Sequence, residues 1–125
     1  MTLIEIINAK NAIKKYFDKI PPGATMYRIV KFVWFAEEQE KHFNTVNAQL
    51  LARYGERDAA GSYVLSENGK GYKIKQEHAQ DFLIASLELQ NAEVKCETAL
   101  TLDEITPLEI TANDLYHIFP IIKEE

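Results

Sequence analysis

Residues 24 to 54 read ATMYRIVKFVWFAEEQEKHFNTVNAQLLARY, and no proline or glycine interrupts them. A helix is predicted from near Ala24 or Thr25 to Tyr54, about 30 residues and roughly 45 Å at 1.5 Å per residue. Its seam is Met26, Ile29, Val33, Ala36, Glu40, Phe43, Asn47, Leu50 and Tyr54, an alternation of three and four interrupted by two polar members. Polar seam positions of this kind fix register between packed helices. Phe32, Trp34 and Phe35 fall outside the seam, so one helical neighbour is too little cover. Either a second layer of the same chain or another subunit must pack there.

Working towards the N-terminus, Ile6, Ala9, Ile13, Tyr16 and Ile20 mark one face of an amphipathic helix over Leu3 to Ile20. Lys10, Lys14, Lys15 and Lys19 occupy the remaining surface, and Pro21-Pro22-Gly23 ends the helix and turns the chain. Working towards the C-terminus, Gly55 suits a left-handed helix-ending position. Beyond the turn Arg57 to Gly61, the β-formers of Ser62 to Ser66 and Gly71 to Lys75 flank an Asn68-Gly69 reversal and predict a hairpin. A third helix is expected over Gln76 to Gln90, with Phe82, Ala85 and Leu89 on one side. From Glu93 to Asp103 the period becomes two, with Val94, Cys96, Thr98, Leu100 and Leu102 on one face, which predicts a strand. After Pro107, Thr111-Ala112-Asn113-Asp114 reads as an N-cap with an acidic residue three positions on, opening a short helix that Pro120 closes.

These elements predict an α+β fold: an antiparallel helical hairpin with a long second helix, plus a small antiparallel sheet of about three strands and two shorter helices. The alternative is a mostly helical protein in which the hairpin decorates a loop. With 125 residues, a single domain over 1-125 is expected, with a helical half of about 1-55 and a mixed half of about 56-125. The net charge of −5 hides an asymmetry: residues 1 to 57 carry nine Lys/Arg against six Asp/Glu, and residues 58 to 125 carry five against thirteen. Oppositely signed halves can dock within one chain or head to tail between copies. No stretch approaches the roughly 20 apolar residues of a membrane span, and the first residues lack the marks of a signal peptide. A cytoplasmic protein without a membrane segment is expected.

Chemistry-bearing patterns are sparse. His42, His78 and His117 belong to no metal motif, and the Glu38/His42 pair at helical spacing reads as a solvated pair rather than a metal site. Cys96 lies on the apolar side of its strand with no local histidine to activate it. Ser62, Ser66 and Ser86 lack a nucleophile elbow, and Gly69-Lys70-Gly71 is too short for a phosphate loop. Glu93, Glu97, Asp103, Glu104 and Glu109 read as solvated carboxylates. Accordingly no catalytic, cofactor-binding or metal residues are assigned, no cofactor is expected, and the chain is read as a non-enzyme. Arg28, Lys31 and the helix lysines form too small a positive field, in too acidic a chain, to argue for nucleic acid.

The lysine-rich first helix, the proline turn, the long helix ending in Arg53-Tyr54-Gly55-Glu56, the Gly61-Ser62-Tyr63-Val64 strand entry and the Ala92-Glu93-Val94 strand before a short acidic-capped helix resemble small phage- and prophage-encoded proteins of unknown function. The resemblance covers most of the chain and rests on structural punctuation. It implies a phage-type context and no active-site residues. The expected function is a protein-interaction or assembly module that binds another protein or itself, as a homo-oligomer, through the long helix. Phe32, Trp34, Phe35 and Phe43 are its interface candidates, because uncovered aromatics mark interfaces. The alternative is a small regulator that binds nucleic acid or a host protein through the lysine-rich first helix.

Overall fold

The computed structural model describes residues 1–123. The chain forms two compact units, one built from Met1–Lys41 together with the chain from Ala92 onward, the other from His42–Asn91. The division cuts the long helix at Lys41 and returns at Ala92, not at the turn after Tyr54 where a helical half and a mixed half were expected to meet. Both units are mostly helical, and the sheet content is small.

In the first unit, α1 spans Leu3–Lys14. Thr2 and Glu5 start it with a reciprocal cap: the Thr2 hydroxyl accepts from the Glu5 amide at 3.3 Å, and the Glu5 carboxylate accepts from the Thr2 amide at 2.8 Å. The helix was expected to reach Ile20 but stops at Lys14. Lys15 and Tyr16 donate three residues back to Ala12 and Ile13, and Phe17–Lys19 form a 3-10 turn. That tighter winding keeps Tyr16 and Ile20 buried while the chain bends into Pro21. The long helix α2 runs Ala24–Tyr54, as its sequence required. Ion pairs from Lys10 to Glu40 at 2.9 Å and from Lys14 to Glu37 at 3.5 Å run in opposite chain order, so α1 and α2 lie antiparallel. Ile6, Ile13, Ile29, Leu100, Leu108, Ile118 and Ile121 are the largest fully covered side chains. Each contributes about 1.5 to 3 kcal/mol relative to exposure.

The predicted antiparallel sheet of about three strands is not what forms. The sheet has two short parallel strands, β1 at Leu100–Thr101 and β2 at Ile122–Lys123, with Leu100 opposite Ile122. Residues 93 to 103 therefore supply two strand residues where a long strand was expected. Directly after β1 comes α4, Leu102–Ile105. The cause is a competing cap: the Glu104 carboxylate reaches back to the Thr101 amide at 2.9 Å and its hydroxyl at 3.1 Å, and Thr-x-x-Glu at a helix start outweighs two more residues of alternation. A 3-10 turn at Thr106–Leu108 ends with Glu109 in the left-handed region at φ 51°. Helix α5, Ala112–Ile118, opens as expected on Thr111, whose hydroxyl accepts from the Asp114 amide at 3.3 Å. It packs on α1.

The second unit holds the rest of α2 and α3, Ala79–Gln90, which is preceded by a 3-10 turn at Gln76–His78; Tyr54 of α2 meets Phe82 of α3 edge-on at 6.5 Å. The predicted hairpin is present as single antiparallel bridges, Arg57 to Tyr63, Leu65 to Tyr72 and Gly55 to Ile74, and not as continuous strands. The reversal falls where Asn68-Gly69 placed it, with Gly69 at φ 69° and Ser66 bonded to Gly71 at 2.8 Å. Gly55 is needed for a different reason from the expected one. Its φ is not positive; a β-carbon there would stand 2.5 Å from the Leu51 carbonyl oxygen and 3.2 Å from the Tyr63 ring. Among the described residues of this unit, Gly55 alone is buried.

Candidate functional site

At about 100° per residue, the aromatic run of α2 is split among different surroundings. Phe32 is buried with Ile29, Val33 and Ala36 in the first unit's core, so its own chain covers it. Phe35 packs against that core and is half-buried. Trp34 points the other way and is 78% exposed. Phe43 belongs to the second unit and is half-buried. Of Phe32, Trp34 and Phe35, Trp34 is thus the exposed one, while Phe32 and Phe35 lie towards the core.

Tyr27 and Val30, neither of them among the expected interface residues, join Trp34. Tyr27 is 69% exposed and Val30 45%. Positions 27, 30 and 34 are spaced three and four apart and fall on one stripe, a signal that was present in the sequence but was masked by the stronger seam beside it. Beside the stripe lies a groove of about 360 Å³, walled by Tyr27, Lys31, Phe32 and Phe35 of α2 and by residues 95–99 opposite. A second hollow of about 640 Å³ continues along α2 past Trp34 to Lys41 and shares Lys31 and Phe35 with the first.

The electrostatics of the groove divide its cations. Arg28 is committed to the fold: it donates to the Ala99 carbonyl at 3.3 Å and to Glu104 Oε1 at 3.0 Å, and its second amino group pairs with Glu104 Oε2, which also accepts from Thr25. With Arg28 foremost and the Thr25 and Thr101 donors adding to it against the cost of burial, the Glu104 carboxyl is held down at about 2. Lys31 and Lys95 enter no ion pair among the described residues, and neither does Glu97. Burial pushes the Cys96 thiol up, which keeps it protonated and a poor nucleophile at neutral pH.

Other candidate chemistry is dispersed. Among the described residues no three or more His, Cys, Asp or Glu side chains converge as a metal site. His78 stacks near Tyr54 at 5.4 Å, while His117 lies against Tyr116 at 5.3 Å in the first unit. The lysine face of α1 is largely engaged: Lys10 meets Glu40, Lys14 meets Glu37, and Lys15 meets Asp114 at 3.0 Å. A third hollow, about 710 Å³, lies between the start of α1 and α5 with Tyr116 exposed at its rim. No helix among the described residues is long and apolar enough to cross a membrane.

Among the described residues the arrangement offers an apolar stripe, a neighbouring groove and two ammonium groups, of Lys31 and Lys95, that enter no ion pair. Neither a protein-family model, nor a curated protein, nor a solved structure matches the chain.

Proposed function

We propose that this chain is a non-enzymatic protein-interaction or assembly module that docks through the outer face of α2. The same proposal sets it in the cytoplasm among small phage- or prophage-type proteins, with another protein or a second copy as its partner. One observation carries the reading: Trp34 is largely exposed beside Tyr27 and Val30, at the edge of a groove. Isolated exposed apolar residues are ordinary, but a tryptophan aligned with two further apolar neighbours forms a patch, and tryptophan is enriched at binding hot spots. The regulator reading through the α1 lysines has less support, because three of those lysines already hold carboxylates of their own chain.

Trp34 is the chain's single tryptophan, so its emission reports on this face alone. Sedimentation and emission spectra from low to high micromolar concentration are expected to show association accompanied by a blue shift. Trp34→Ala is expected to abolish that association with little change in melting temperature. A photoreactive residue at position 34, used in cells that carry the gene natively, tests for a different protein partner. Solvent-like emission at every concentration together with no crosslinked partner would defeat the reading.

A further inference from the structure

Residues 93 to 103 offer a strand pattern that the chain itself uses only in part. At one end Glu93 bridges Thr2 and the Val94 amide donates to the Met1 carbonyl at 2.8 Å. At the other, the Ala99 amide donates to the Ile121 carbonyl at 2.8 Å, and β1 follows. Between these anchors, among the described residues, no backbone group of Lys95, Cys96, Glu97 or Thr98 enters a backbone–backbone hydrogen bond; the Glu97 carbonyl receives only the Cys96 thiol, at 3.5 Å. Lys95, Glu97 and Thr98 are exposed, while Val94 and Cys96 turn towards the core. The segment is anchored at both ends, alternates from Val94 to Glu97, and has peptide groups at 95–98 that no backbone partner among the described residues takes up, and such an edge is a template for another strand.

The side chains identify which strand fits. If the segment pairs antiparallel with a second copy about a two-fold axis through Cys96, Lys95 lies opposite the partner's Glu97, and Glu97 lies opposite the partner's Lys95. Opposite charges directly across a ladder stabilise it, and like charges oppose it. Lys95 and Glu97 are also free of ion pairs within the described part of their own chain. A two-fold contact needs a surface complementary to itself, and Lys-Cys-Glu meets that requirement in this register. We infer that residues 95–98 are an incomplete strand completed by the same residues of a second copy, paired antiparallel about Cys96. The inference shares with the reading above only that the chain associates with a copy of itself; it assigns the contact to this segment and not to α2.

Sedimentation of the full chain at high micromolar concentration is the test. The unaltered chain is expected to dimerise, and K95E or E97K alone to weaken dimerisation roughly tenfold or more, since each sets two like-charged pairs across the ladder. An equimolar mixture of K95E with E97K restores complementary pairs and is expected to recover the dimer, as is the double exchange K95E/E97K. Mild oxidation with copper-phenanthroline is expected to link the unaltered dimer through Cys96. A chain that stays monomeric overturns the inference, as do single variants that dimerise like the unaltered chain or a mixture that fails to recover. If Trp34→Ala abolishes association while K95E and E97K do not, the strand pairing is wrong and docking through α2 stands. If the charge variants act as expected and Trp34→Ala has no effect, the pairing stands and the α2 reading fails.

Discussion

The phenol of Tyr16 donates to Asp114 Oδ2 at 2.7 Å and accepts from the Thr111 amide at 3.1 Å, which ties the end of α1 to the cap of α5. Lys15 closes the same carboxylate from outside at 3.0 Å. With Tyr16 the leading donor and Lys15 and Thr111 behind it, the Asp114 carboxyl is held below its ordinary range. Its side chain is shielded by these neighbours, yet the cluster reaches water through the exposed Lys15.

Tyr16→Phe removes the donor and leaves the Thr111 amide without its acceptor. The expected result is a melting temperature lower by roughly 5 °C with the helical content of α1 retained. Circular dichroism against temperature measures both.

Acid should loosen the link between α2 and the segment from β1 to α4. Glu104 titrates at about 2 in the folded chain, against an ordinary value of 4.5. A folded-state value below the unfolded one means that the carboxylate's contribution is complete above the unfolded pKa and is lost as pH falls through the folded one. The melting temperature is expected to fall between about pH 5 and about pH 2, and Glu104→Gln to flatten part of that slope while lowering stability at neutral pH. A pH series of thermal melts on both proteins measures the difference.

Lys10 is buried at 5% exposure and its ammonium meets Glu40 at 2.9 Å. Glu40→Gln strands that charge and is expected to cost about 2 kcal/mol in urea unfolding, below the usual figure for a buried pair because Glu40 keeps some access to water. The double replacement Lys10→Met with Glu40→Leu is expected to come close to the original stability, since it removes both desolvation costs together.

Gly55→Ala drives a methyl group into the Leu51 carbonyl and the Tyr63 ring. The end of α2 must shift, at an expected cost of about 2 kcal/mol or more. Hydrogen exchange should quicken at the Val64 and Lys73 amides, whose acceptors are Glu56 and Val64, while α1 stays protected.

The sequence by itself determined the elements whose signals are local. A run without proline or glycine made α2, Pro21-Pro22-Gly23 ended the segment before it, Asn68-Gly69 set the reversal, and Thr111 set the start of α5. Each depends on backbone chemistry within a few residues, so no distant contact was needed to read it. Tertiary structure alone decided the rest. It chose a parallel partner for Leu100 at Ile122, a register that no local pattern encodes. It set Arg28 of α2 against Glu104, tying the long helix to a cap that Thr101 and Glu104 form locally. It also divided the aromatic run, placing Phe32 under its own core and leaving Trp34 in water, because the seam specified one face of α2 and only the packed chain could settle what would cover the others.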